Sequence, residues 1–196
     1  MEIYYQKTEA FAAHTRIHVD RFYRFLKYAG KRSIVLVTKG DHDNDFEGDY
    51  DPERINKIPG CREISGKLYS VGGSTFLGLA FEQAGYRIAL RRLIGALQGR
   101  ADVVIAQVPQ QNLRLVAELR PRLLIRGHYG AGEHLVDGVP SVFTTFEYFL
   151  VDLPDTGVPQ FQVVGCHPFS TASRSAGEKN IPLAKAIPRD SPSIEE

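Results

Sequence analysis

The densest group of residues able to do proton chemistry is Arg126-Gly-His-Tyr-Gly-Ala-Gly-Glu-His134, in a chain of 196 residues. Its glycines permit tight backbone turns, and His128, Glu133 and His134 can all do proton chemistry. As zinc ligands they have no established spacing, since a second His four residues after the first is missing. His14 and His18 form a second place for a general base, with a surface or capping role as the alternative reading. A third is the acidic run Gly40-Asp-His-Asp-Asn-Asp-Phe-Glu-Gly-Asp-Tyr-Asp-Pro-Glu53. Asp43, Asp45, Glu47, Asp49 and Asp51 imitate a calcium loop in part, but Arg54 stands where the bidentate Glu would be. This run is read as a solvated loop able to close over a substrate, and no metal site is assigned. Gly72, Gly73 and Ser74 open a possible phosphate cradle or a helix cap, without the lysine of a P-loop. Glu147 is a further carboxylate beyond a strand.

The elements that must position these groups are clearest between Ala101 and Thr144. Asp102-Val-Val-Ile-Ala106 and Arg122-Leu-Leu-Ile125 are short apolar runs suited to strands buried on both faces. Between them Leu113, Val116 and Ala117 recur at helical spacing, and Pro121 closes that helix. Val139-Pro-Ser-Val-Phe143 supplies another strand after a turn, the rhythm of a parallel α/β sheet. Upstream, Glu2 to Gln6 is predicted as an opening strand, Lys7 to Thr15 as a loop, and Val19, Phe22, Tyr23 and Leu26 as one face of a helix ended by Gly30. Ser33 to Thr38 is the next strand, and Ile58 to Ile64 turns into another. The glycine pair then predicts one helix from about Phe76 to Leu97, broken near Gly85, with Leu90, Leu93, Ile94 and Leu97 inward and Arg87, Arg91 and Arg92 outward. Phe161 to Val164 suits an edge strand, and Ser170 to Glu196 an irregular tail.

The fold class expected is therefore α/β: a single Rossmann-like domain over residues 1–153, with a mostly parallel sheet flanked by helices. Residues 154–196 add an edge strand and a largely irregular C-terminal tail. A net charge of +1 gives no support for binding nucleic acid as a polymer. Cys61 and Cys166 form no metal-type pair and suit free thiols in a reducing compartment. With neither a signal-peptide pattern nor an apolar run long enough for a membrane span, the plain expectation is a cytoplasmic protein.

The order of elements resembles the N-terminal Rossmann-like domain of GT-B glycosyltransferases. His14, the Phe22–Leu26 helix, Gly30 and Ile34-Val-Leu-Val-Thr38 stand in that family's order and at about its spacing. Ile58-Pro-Gly-Cys-Arg-Glu-Ile64, a basic helix and Ala101-Asp-Val-Val-Ile105 look like its middle, so the resemblance covers about residues 1 to 150. It implies an acceptor-binding half of an enzyme that moves a sugar from a nucleotide donor to a hydroxyl. His14 would be the base, and His128, Glu133 and His134 would line the cleft with the Gly72-Gly73 turn. Ala13 precedes His14 where the family usually has Gly. The family's donor domain would have to come from a second protein chain, or the chain is a fragment or a non-catalytic relative. Arg120-Pro-Arg-Leu-Leu-Ile125 and Asp137-Gly-Val-Pro140 also look like part of nitrogenase-type component proteins, although neither cysteine falls in a cluster-ligating pattern.

The expectation is thus a glycosyltransferase-like acceptor-binding domain acting with a partner chain. Its substrates would be a nucleotide-sugar and a hydroxyl acceptor, with Gly72, Gly73, Ser74, His134 and Glu147 contacting substrate. The alternatives are a non-catalytic α/β interaction module, and a metal-dependent hydrolase. The hydrolase would hold a divalent metal with the acidic loop and His128 or His134.

Overall fold

The computed structural model describes residues 9–40, 50–127, 135–144, 147–154 and 159–166. Side chains are described over 16–40, 50–127, 135–144, 151–154 and 159–160. Four strands run parallel at the centre: β4 (Ser74–Leu79), β5 (Val103–Gln107), β6 (Leu123–Gly127) and β8 (Val139–Phe143). Two strands, β3 (Leu68–Val71) and β7 (Leu135–Val136), pair antiparallel at the margins, giving the order β3-β4-β5-β6-β8-β7. A parallel pair, β1 (Val35–Val37) and β2 (Cys61–Glu63), leads into the same sheet. Ser65 makes a parallel bridge with Gly78, and the Gly66 N–H donates to the Gly78 carbonyl at 2.8 Å. The expected mixed α/β architecture with a mostly parallel sheet is present.

Helices α3 (Phe81–Ala84), α4 (Arg87–Leu97) and α5 (Leu113–Ala117) lie in the crossovers β4→β5 and β5→β6. Their apolar residues share one buried cluster with Leu77, Leu79, Val104, Ala106 and Leu124, the alternate residues of three strands. The other face collects Val103, Leu123 and Val142, with Phe76, Ile105, Ile125, Val151 and Leu153 against them. Parallel strands β4, β5, β6 and β8 succeed one another across the main sheet in chain order, and the separate β1–β2 pair joins its β4 side through the Ser65–Gly78 bridge. Right-handed crossovers in a single direction put successive helices on one face, as α3 to α5 are. A doubly wound sheet reverses direction at a switch point. The parallel strands among the described residues contain no such reversal.

Helix α1 (Glu9–Gly30) and the short α2 (Pro52–Asn56) close a second cluster over β1 and β2, built from Tyr23, Leu26, Val37, Ile55, Ile58 and Cys61. The α1 face expected from Val19, Phe22, Tyr23 and Leu26 is the one that packs. Gly30 ends the helix as expected, but for a different reason than a left-handed backbone. A Cβ there would stand 2.3 Å from the Pro59 carbonyl oxygen and 2.9 Å from Cys61 Sγ. Opposite it Gly60, at φ +77°, leaves no more room, since its Cβ would lie 2.0 Å from the Gly30 oxygen.

Two expectations about local structure are corrected. Lys7 to Thr15 is not a loop throughout, because α1 already begins at Glu9. The single helix from Phe76 to Leu97 is instead β4 followed by α3 and α4, although the break at Gly85 stands. Gly72 and Gly73, at φ +58° and +79°, make the two-residue turn of the β3–β4 hairpin, a conformation that glycine pairs favour. Ser74-Thr-Phe-Leu-Gly-Leu79 then pairs on both sides, which overrides any capping tendency of Ser74. The Phe161–Val164 strand is present as part of β10 (Gln160–Cys166), paired antiparallel with β9 (Glu147–Asp152). The opening strand from Glu2 to Gln6 and the tail from Ser170 lie outside the described residues.

Candidate functional site

In a parallel sheet, ligand groups collect beyond the carboxyl ends of the strands. Here each apolar run ends in polar residues on that side: Thr38-Lys39 after β1, Glu63-Ile-Ser65 at the end of β2, Gln107 at the end of β5 and Arg126 near the end of β6. Glu63 is the anchor of this edge. Its Oε1 accepts from Tyr50 Oη at 3.1 Å and from the Ser65 N–H at 3.0 Å, while Oε2 accepts from Lys67 Nζ at 3.1 Å. Burial pushes its carboxyl pKa up, but the Ser65 and Lys67 hydrogen bonds outweigh that and hold it below the usual glutamate range. Glu63 is therefore an ionised, fully satisfied carboxylate whose role is to fix the strand end.

Beside it, Ser65 Oγ accepts from the Lys39 N–H at 2.9 Å, and Lys39 Nζ makes an ion pair with Glu82. Burial raises the Glu82 carboxyl pKa, and its hydrogen bonds with Lys39 and with its own amide bring it down below its ordinary value. Thr38 lies over Gly78, where a Cβ would meet Thr38 Oγ1 at 2.4 Å, so only glycine leaves space for that hydroxyl. Gln83 lies over Gly66, whose Cβ would approach Gln83 Nε2 to 3.3 Å. Thr38 Oγ1, Gln83 Oε1 and Asn112 Oδ1 are buried without a hydrogen-bond partner. Asn112 holds its place through its Nδ2, which donates to the carbonyls of Ala84 at 2.9 Å and Gly85 at 2.8 Å. Farther along, Gln107 crosses Gly127, and the buried Arg126 donates from Nε to Ser141 Oγ at 3.0 Å with its guanidinium 5.0 Å from the Phe143 ring centre. The edge thus holds amides, hydroxyls, the Arg126 guanidinium and two ion pairs, Lys39–Glu82 and Lys67–Glu63, whose charges are matched within the protein.

Of the site residues expected for sugar transfer, only Gly72, Gly73 and Ser74 have described side-chain surroundings. His128, Glu133 and His134 lie outside the described residues, although β6, which leads to them, ends on this edge. Gly72, Gly73 and Ser74 precede β4 and so sit at the opposite, amino edge, about 20 Å away across a six-residue strand. This corrects their assignment to a helix N-terminus and places them on the edge opposite the one where β6 ends. His14 lies within α1, and its side chain is outside the description. Gly30 meets the turn before β2, and Tyr23 Oη accepts from the Asp51 N–H at 3.1 Å past the end of β1, so α1 runs antiparallel to β1. His14 is nine residues beyond Tyr23, about 14 Å farther along the helix, away from the Glu63 group. Glu147 begins β9, whose partner is β10 rather than the main sheet, and its side chain is likewise outside the description.

Of the acidic run only its end is described, and that end is structural. Asp51 Oδ1 caps α2 by accepting from the Glu53 and Arg54 N–H groups at 2.9 and 3.1 Å. The rest of that run and the histidines after β6 lie outside the described residues. Among the described residues, no three His, Cys, Asp or Glu side chains are grouped to hold a metal ion. Cys61 is buried and free. No helix among the described residues is long and apolar enough to cross a membrane. No family model, curated protein or solved structure matches the chain. Sequence reasoning passed over Glu63, Glu82, Gln83, Asn112 and Arg126. The available signal was a polar residue directly ending an apolar run, as in Arg126.

Proposed function

We propose that this chain is an α/β acceptor-binding domain of a sugar-transferring enzyme, acting with a second chain that binds the nucleotide-sugar donor. One observation carries the reading: Thr38 Oγ1 and Gln83 Oε1, on half-buried residues near the carboxyl edge of a parallel sheet, lack hydrogen-bond partners. A polar atom buried without a partner costs stability, and a ligand hydroxyl recovers that cost on binding. Ligand binding raises the melting temperature by mass action, about 2.7 kcal/mol at one hundred times the dissociation constant, or roughly 5–10 °C for a domain this size.

The test is a thermal-shift titration with mono- and oligosaccharide acceptors, each with and without nucleotide-sugars. An acceptor alone is expected to raise the melting temperature, and Thr38→Val or Gln83→Leu to abolish the rise without lowering the unliganded value. Failure of every saccharide to shift the wild-type chain would sink the reading. A non-catalytic interaction module is the second reading. It is favoured by the distances that separate His14 and the glycine turn from the polar edge. In that case His14→Ala and His128→Ala leave partner binding intact.

A further inference from the structure

The outward face of α1 carries an arrangement that neither the core nor the polar edge uses. Ile17, Phe25 and Tyr28 are 51%, 59% and 61% exposed, and they line the side of α1 opposite the buried Tyr23 and Leu26. Arg21 and Arg24 project among them, both exposed. Arg16, Lys27, Lys31 and Arg32 extend the basic field, with Asp20 the one carboxylate in this stretch. Arg32 places its guanidinium 3.8 Å from the Tyr28 ring centre and donates to the Tyr28 carbonyl at 3.0 Å, which fixes that ring at the surface. From the packed side, Arg54 of α2 stacks on Tyr23 at 3.6 Å, adding another cation at the flank. Residues 16 to 32 carry six Arg or Lys and one Asp, a net +5 with His18 neutral, whereas the whole chain carries +1. Positive charge is concentrated on this helix while the remainder is net acidic.

A helix apolar on its inner face would ordinarily be polar on its outer one. Bulky apolar groups projecting from a basic field fit the headgroup boundary of a bilayer, where the apolar side chains enter and the cations meet anionic phosphates and carboxylates. A nucleic acid strand would need a groove with stacking platforms, and the face of α1 is convex. We propose that the outer face of α1 is a docking surface for an anionic phospholipid membrane, with Ile17, Phe25 and Tyr28 entering the interface and Arg21 and Arg24 holding the headgroups. The docking is peripheral and independent of what the carboxyl edge of the sheet binds.

Flotation of the full chain with phosphatidylcholine vesicles, and with phosphatidylcholine–phosphatidylserine vesicles, tests this directly. Binding is expected to the anionic vesicles alone and to weaken as salt shortens the screening length. The double variant Arg21→Gln/Arg24→Gln should lower partitioning about thirtyfold, and Phe25→Ser should lower it too, neither altering the fold, since all three positions are exposed. The chain contains no Trp, so Phe25→Trp creates a single tryptophan, excited apart from the tyrosines, whose emission should shift to the blue on anionic vesicles and stay fixed with neutral ones. Binding to neither vesicle, equal binding to both, or an unchanged double variant would overturn the proposal. So would a blue-shifted, concentration-dependent emission without vesicles, which would assign the face to a second copy. Preference for a single-stranded oligonucleotide over anionic vesicles would overturn it equally.

Discussion

Replacing Glu63 by Gln tests the claim that an ionised carboxylate pins the carboxyl edge. The glutamate side chain is 3% exposed and receives three hydrogen bonds, from Tyr50, Ser65 and Lys67. Gln keeps the shape and one oxygen, so the Tyr50 and Ser65 bonds can persist. Its amide nitrogen, however, would face the Lys67 ammonium, donor against donor. Lys67 is 59% exposed and can swing into water, so the loss is less than that of a buried ion pair. A charged hydrogen bond lost in this way costs about 1–2 kcal/mol, which for a domain of this size lowers the melting temperature by roughly 3–6 °C. The pH dependence supplies the stronger check. The Glu63 pKa is lowered in the folded state, so its contribution is complete above the pKa of an unfolded glutamate and disappears as pH falls through the folded value. Melting curves of wild type and Glu63→Gln should therefore differ at neutral pH and converge on acidification. A variant as stable as wild type at neutral pH, or a gap that persists in acid, would refute the assignment of an ionised, stabilising Glu63.

Two further perturbations probe the frame that holds this edge. Gly60→Ala places a Cβ 2.0 Å from the Gly30 oxygen at φ +77°, whereas Gly73→Ala meets only the φ of +79° with open space around it. Denaturant unfolding should show a loss of about 3 kcal/mol or more for the first and about 1 kcal/mol for the second, and similar losses would contradict the close seating of α1 on the turn before β2. Cys61 donates to the Leu26 carbonyl at 3.4 Å, and burial, partly opposed by Arg62, pushes its thiol pKa up. In a Cys166→Ser background Cys61 should resist a thiol reagent until denaturant is added, and stability should decline only as pH rises past the ordinary thiol range. Rapid native labelling would refute its burial.

The parallel sheet was legible because its strands announce themselves twice. Val103 to Ala106 and Leu123 to Ile125 are continuous apolar runs, the signature of strands covered on both faces, and Pro121 punctuates the chain between them. The hairpin at Gly72-Gly73 was misread because Gly-Gly-Ser-Thr satisfies both a helix start and a tight turn. Its resolution lies in partners distant in sequence, Leu68 to Val71 on one side and Val103 to Ala106 on the other. Local propensity cannot see that pairing. The same limit hid the candidate site. Glu63 follows Cys61 and the exposed Arg62 in strand alternation, and nothing in that tripeptide says that its inward carboxylate will find Tyr50, Ser65 and Lys67. Thr38, Gln107 and Arg126 carry a readable sign, a polar side chain at the end of an apolar run, but none is of the histidine or clustered-carboxylate kind that marks catalytic chemistry in a sequence. Sheet polarity separates the two kinds of residue: a turn before β4 and a turn after β6 open on opposite edges, however alike their glycines look.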